Sequence, residues 1–200
     1  VAVSDARGRL TYAELSQRVD GIARALTARG LTRGDAVAIW SYRSGALAPA
    51  ILGVLRAGLA VVMLDPAHPR ARNLACLEEA RVRAILALGE ASPVPPEFLR
   101  EGRTCLRVDS LDSPAPSIDG PAIELPLLGP DEVACITFTS GSTGGPKGVR
   151  GGHRSLTHFQ SFLEARFALT PSDRFSLLSG LAHDPLQRDL FTPLLLGAMV

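Results

Sequence analysis

The 200-residue chain predicts an α/β fold, a mostly parallel sheet covered by helices, and three features carry that expectation. Short, uniformly apolar runs recur at 37–40, 60–64, 84–88 and 134–138, as strands buried on both faces require. Between the first three lie segments with apolar residues at helical spacing, the alternation that builds a parallel sheet. Glycines and an Asp65-Pro66 step mark where the elements stop.

Taken in order, Thr11 with Glu14 forms a capping box, and Leu15, Val19, Ile22, Ala23 and Leu26 follow on one helical face that ends at Gly30. Val37 to Trp40 reads as a buried strand. A second helix carries Leu47, Ile51, Leu52 and Leu55 and stops at Gly58; the strand Ala60–Leu64 comes next. Leu74, Leu77 and Ala80 indicate a third helix before the strand 84–88. Residues 89–132 hold eight of the 15 prolines and read as an irregular connection with one short strand at 105–108. Regular structure resumes with the strand 134–138. A helix over about 155–166 is expected to use Leu156, Phe159 and Leu163 as its core face. Asp173–Leu178 reads as a strand and 187–196 as a helix. The organisation expected is therefore 1–88 as a first α/β portion, 89–132 as the proline-rich connection, and 133–200 as the ligand-binding portion.

Composition narrows the function. With 46% hydrophobic and 20% charged residues, the chain is expected to be globular and soluble. A net charge of +1 gives no field for nucleic acid or an acidic membrane, and no apolar run reaches a membrane span. Cys76, Cys105 and Cys135 have no metal-ligand spacing and are expected to be buried free thiols in a reducing, cytoplasmic setting. His68, His153 and His158 are too scattered for a metal site, so no metal ligand is assigned.

The most informative stretch is Thr139-Ser140-Gly141-Ser142-Thr143-Gly144-Gly145-Pro146-Lys147-Gly148. Glycines let the backbone approach a ligand closely, hydroxyls line it with donors, and Lys147 adds a mobile positive charge. Such a density of N–H groups, hydroxyls and one ammonium suits a polyanion such as a nucleotide triphosphate. A Walker A loop fits poorly: Pro146 stands where its glycine would be, and Gly148 follows the lysine where a magnesium-binding hydroxyl is needed. Pro146 and Gly148 instead favour a flexible or extended segment around Lys147. A Ser/Gly linker would be looser in composition and would not end in Pro-Lys-Gly.

This stretch resembles the phosphate-binding loop of the adenylate-forming (AMP-binding) superfamily. Leu10-Thr11-Tyr12-Ala13-Glu14-Leu15 resembles that family's first core motif, and 55–66, Leu55-Arg56-Ala57-Gly58 through Leu64-Asp65-Pro66, its second. The order and spacing agree, so the resemblance covers the whole chain. It implies the amino-terminal part of the large lobe of an adenylation domain, without the later motifs or the small carboxy-terminal lobe. Thr139 to Gly145 and Lys147 would then hold ATP. Mg²⁺ would accompany it, on ligands mostly outside this chain.

Residues 179–189 form the second informative stretch. Amino-acid-activating members of the superfamily carry an aromatic-Asp pair here, and this chain has His183-Asp184. The resemblance implies that Asp184 binds a substrate ammonium, and a carboxylate between an apolar strand and a helix needs such a partner. Arg188, four residues on, faces the same side of a helix turn. Either it ion-pairs with Asp184 alone, or its fork reads a second carboxylate on the substrate. His183 is either a satisfied core histidine or a donor to the α-phosphate, which with Lys147 would make the catalytic pair.

The run His183-Asp184-Pro185-Leu186-Gln187-Arg188-Asp189-Leu190-Phe191-Thr192-Pro193-Leu194 is most similar to the adenylation domain of α-aminoadipate reductases. Ser41-Tyr42-Arg43-Ser44 points the same way. The resemblance implies activation of an amino-acid or amino-dicarboxylic acid as its acyl-adenylate, then transfer to phosphopantetheine on a carrier domain, with a reductase or condensation domain left open. Three other readings remain. An acyl-CoA synthetase would share the loop without needing Asp184, a P-loop hydrolase would release inorganic phosphate, and an inert fragment would bind without turnover.

Overall fold

Strands that bury every side chain need cover on both faces, and the alternation within them decides which helix each residue meets. The structure, a computed structural model, describes residues 1–89, 93–100, 102–108, 111, 126–140 and 145–200. Its main sheet uses β3 (Ala36–Trp40), β4 (Ala60–Leu64), β5 (Ala84–Leu88), β6 (Thr104–Val108), β7 (Val133–Ser140) and β8 (Pro146–Gly152), after a small hairpin of β1 (Val3–Ser4) and β2 (Arg9–Leu10). The order across the sheet is β6-β5-β3-β4-β7-β8. All neighbours run parallel except β7 and β8, which pair antiparallel.

Alternate residues of these strands enter two cores. Val37, Ile39, Val61, Ala84 and Leu86 face α1 (Tyr12–Thr27), α2 (Leu47–Arg56) and part of α6 (Pro185–Leu196). Ala38, Trp40, Val62, Ile85 and Ile136 face α3 (Arg70–Glu79) and the turn Pro96–Leu99, where Phe98 sets its ring edge against Trp40 at 5.5 Å. The capping box expected at α1 is present, with Thr11 accepting from the Glu14 backbone and Glu14 from that of Thr11. In α2, Gly53 allows a close crossing, because an added Cβ would lie 2.7 Å from Ile22 of α1. Tyr12 donates to the carbonyl of Ala198 at 2.6 Å, tying α1 to the chain just past α6.

Several expectations need correction after residue 145. Pro146–Gly152 is a full strand: Lys147 lies in extended structure, as the flanking Pro and Gly favour, but paired to β7 rather than flexible. The expected single helix is two, α4 (His153–Thr157) and α5 (Gln160–Phe167), and Phe159 between them is 45% exposed rather than in the core. Asp173–Leu178 is not a strand; an isolated bridge between Arg174 and Met199 is all the pairing found there among the described residues. Its polar Asp173-Arg174 start and Ser176 leave too short an apolar run to pair along its length. The last helix starts two residues early, at Pro185, a residue whose missing N–H suits the first helical turn. Cys76 and Cys135 are buried free thiols, but Cys105, on edge strand β6, is exposed. No helix among the described residues is long and apolar enough to cross a membrane.

Candidate functional site

β7 and β8 pair antiparallel, and the glycine-rich stretch lies between them in the sequence. Gly141, Ser142, Thr143 and Gly144 lie outside the described residues, as does the side chain of Ser140; Thr139, Gly145 and Lys147 frame them. The register puts Thr139 opposite Lys147 and Phe138 opposite Gly148. Directly opposed residues share a face, and successive ones alternate. Phe138 and Gly148 therefore face α3, where an added Cβ on Gly148 would lie 3.2 Å from Ile136 and 3.7 Å from Glu79. Glycine at 148 lets α3 come close. Thr139 and Lys147 fall on the other face, with Cys135.

That face is where α6 sits. Gln187 Nε2 donates to Cys135 Sγ at 3.2 Å, locking the first turns of α6 onto β7. Burial pushes the Cys135 thiol up, and the negative charge of Asp184 adds to the rise, so this carboxylate lies within electrostatic reach of β7. The structure thus gathers Thr139 and Lys147 from the hairpin and His183 and Asp184 from the start of α6 onto one side of the sheet. Beside His183 is an apolar pocket lined by Ile51, Met63, Cys135, Leu181, His183 and Leu186.

Asp184 occupies the N-cap position of α6 yet makes no side-chain capping bond, its backbone being helical at φ −51° and ψ −38°. An N-cap aspartate ordinarily accepts from a free N–H of the first turn. Here the carboxylate is not committed to the helix and is exposed, contrary to the enclosed setting expected between a strand and a helix. His183 is exposed at the pocket rim and so is not a satisfied core histidine. Gly180 makes room for its ring, since a Cβ there would stand 2.6 Å from His183 Cδ2. Arg188 does not pair with Asp184; its Nη2 donates to Asp189 Oδ1 at 3.0 Å.

Four contributors escape a reading of the sequence: Gln187, Asp189, Ser179 and Arg43. Arg43 stands in a noted run, but nothing in that run tells that its Nη2 donates to the carbonyls of Leu178 and Ser179 at 2.8 and 2.7 Å. Among the described residues, no group of three or more His, Cys, Asp or Glu could hold a metal ion. Mg²⁺ is ordinarily held by one or two carboxylates together with substrate phosphates, so it does not require such a group. Thr139 and Lys147, a hydroxyl and an ammonium paired across the strand ends, do fit a nucleotide phosphate.

Comparison with known proteins identifies the family. The model of the family described as AMP-binding enzyme matches residues 1–200. The chain is 36% identical over 211 residues to L-2-aminoadipate reductase of Schizosaccharomyces pombe, covering 94% of this chain and 15% of that protein. The nonribosomal peptide synthetase FmoA3 superposes with a TM-score of 0.84 at 34% identity, covering 100% of this chain and 20% of the other. It has also been solved in AMPPNP-bound and α-methyl-L-serine-AMP-bound forms. Holo-PA1221, a synthetase protein containing adenylation and PCP domains, superposes at 0.81 with 25% identity, covering 99% of this chain and 32% of that one. The chain spans only about 15% of the reductase it matches. With the family model matched from end to end, the chain belongs to the AMP-binding enzymes.

Proposed function

We propose that this chain supplies the amino-terminal part of the large lobe of an adenylation domain, which activates the carboxylate of an amino acid with ATP and passes the acyl group to a carrier's phosphopantetheine thiol. The observation that carries the reading is Asp184: an uncapped N-terminal carboxylate on the same side of the sheet as the Lys147–Thr139 pair. A substrate ammonium gives that carboxylate its partner. The bound AMPPNP and amino acyl-AMP of FmoA3, and the PCP domain of PA1221, support the nucleotide, the substrate class and the carrier.

The reaction has two halves. The substrate carboxylate attacks the α-phosphorus of ATP in line, forming an acyl-adenylate as pyrophosphate leaves. The thiol then displaces AMP to give a thioester. Thr139, Lys147 and the intervening residues hold the departing β- and γ-phosphates, and His183 donates an N–H toward the α-phosphate as charge builds there. Asp184 fixes the ammonium. Arg188 reads a second, unreacted carboxylate through its planar fork, making the substrate an amino dicarboxylic acid whose remote carboxylate is activated.

One charge-assisted hydrogen bond to a phosphate is worth ~1.5–3 kcal/mol. In the complete protein, Lys147→Ala is expected to slow amino-acid-dependent ATP–pyrophosphate exchange by roughly tens- to hundredfold on rate–energy arithmetic. An unchanged exchange rate overturns the assignment. Exchange supported by a fatty acid and insensitive to Asp184→Asn would point to an acyl-CoA synthetase instead.

A further inference from the structure

The segment carrying His183 and Asp184 has no regular structure from 175 to 184, yet two charged side chains hold it. Arg43, in the connection after β3, donates to the carbonyls of Leu178 and Ser179 at 2.8 and 2.7 Å. Asp189, in the second turn of α6, takes the Ser179 backbone N–H on Oδ2 at 3.2 Å, and the Ser179 hydroxyl donates to the same oxygen. Its other oxygen, Oδ1, accepts from Arg188 Nε at 3.3 Å and Nη2 at 3.0 Å. The Asp189 side chain is only 13% exposed, against 55% for Arg188. Burial pushes its carboxyl up, but the bonds from Ser179 and Arg188 outweigh it and hold the group below the usual carboxylate range.

The geometry of the guanidinium gives this pairing a consequence. Arginine presents its donors in a rigid plane, and Asp189 occupies the side edge formed by Nε and Nη2. The end formed by Nη1 and Nη2 has no partner among the described residues, and that end matches a second carboxylate bidentately. One half-buried carboxylate therefore joins the strap that ends in Asp184 to the arginine four residues beyond it.

We propose that Asp189 is a positioning residue that sets substrate choice, fixing the separation between the ammonium site at Asp184 and the carboxylate-reading end of Arg188. This rests on the roles given above to Asp184 and Arg188. A substrate bearing both groups at the matching spacing gains from the fixed separation, and a substrate lacking the second carboxylate does not. The role is exerted through Arg188, so it must vanish once Arg188 is gone.

The test is ATP–pyrophosphate exchange in the complete protein with 2-aminoadipate and with δ-aminovalerate, which lacks the carboxylate read by Arg188. Asp189→Asn is expected to raise KM for 2-aminoadipate by about tenfold, leaving its kcat within about twofold and δ-aminovalerate unaffected. In an Arg188→Ala background the same substitution should change the ratio of the two substrates no further. Equal losses on both substrates, or additive effects of the two substitutions, overturn the proposal. If Arg188→Ala leaves a preference for 2-aminoadipate intact, or no such preference exists, the reading of Arg188 fails and takes this one with it. If Arg188→Ala abolishes the preference and Asp189→Asn spares it, Asp189 alone loses its role. Should Asp189→Asn not fold, Ser179→Ala decides. It removes the hydroxyl's bond to Asp189 while keeping the Ser179 N–H bond and the arginine pair, and a KM rise of about threefold confined to 2-aminoadipate is expected; unchanged selectivity overturns the proposal.

Discussion

The two flanks of the six-stranded sheet are built on different terms. Around β3 and β5 every strand side chain is buried, and α2 buries eight of its ten residues, Leu47 to Ala50, Ile51 and Gly53 to Leu55. Around β7 and β8 the strand β8 is largely exposed, and of the α5 residues only Leu163 is buried. Parallel strands have helices on both faces, and their stability comes from area removed from water. An antiparallel hairpin satisfies its backbone locally and leaves side chains on one face for a ligand. Burial is concentrated on one flank and the proposed site on the other.

Removing apolar volume from the buried flank should do the most damage. Ile39, with no exposed surface in the central strand β3, is expected to lose about 2–5 kcal/mol of stability on Ile39→Ala, read by urea unfolding. A loss below ~1 kcal/mol would mean that this flank is not the well-packed half. Thiol labelling marks where the contrast stops, because Cys105 lies on the edge strand β6 beyond β5 and Cys135 lies on β7 beneath α6. Exposed Cys105 should react with a maleimide at least about tenfold faster than buried Cys76 and Cys135 in the native protein, the free-energy equivalent of about 1.4 kcal/mol. Burial pushes all three thiols up. Rapid labelling of Cys135 would show that α6 does not stay seated on β7. Thr11→Ala, which removes the α1 cap, should cost about 1 kcal/mol in the same unfolding measurement. Phe162→Ala, at a residue 53% exposed in α5, should change stability by no more than about 0.5 kcal/mol. A larger loss there would erase the distinction between the flanks.

Legibility follows the same division. The strands at 60–64 and 84–88 and the cap at Thr11 are readable because each is specified by its own residues: an unbroken apolar run, or a hydroxyl three residues from a glutamate. Beyond residue 145 local pattern misleads. Val149 and Arg150 show no strand signature, and β8 exists because β7 offers an edge to pair with. The apolar spacing of Leu156, Phe159 and Leu163 predicts one amphipathic helix, but the chain breaks at His158-Phe159 and turns Phe159 outward. The candidate site divides likewise. Lys147, His183 and Asp184 stand out by type and order, whereas Asp189 is one more acidic residue on a helix until Ser179 is seen beside it.

The amino acids alone determined a parallel α/β layer, and they marked out a glycine- and hydroxyl-rich stretch and a carboxylate at Asp184 as the candidate site. Periodicity, capping and donor chemistry act over a few neighbouring residues, and each can be read where it stands. Only the tertiary structure decided that Arg188 pairs with Asp189 rather than Asp184, that Arg43 grips the strap from another strand's end, and that Thr139 faces Lys147. The Arg43 and hairpin contacts join residues separated along the chain, and which of two nearby carboxylates the arginine takes depends on packing. Such choices are made by the packing of the whole sheet, which no short window of sequence contains.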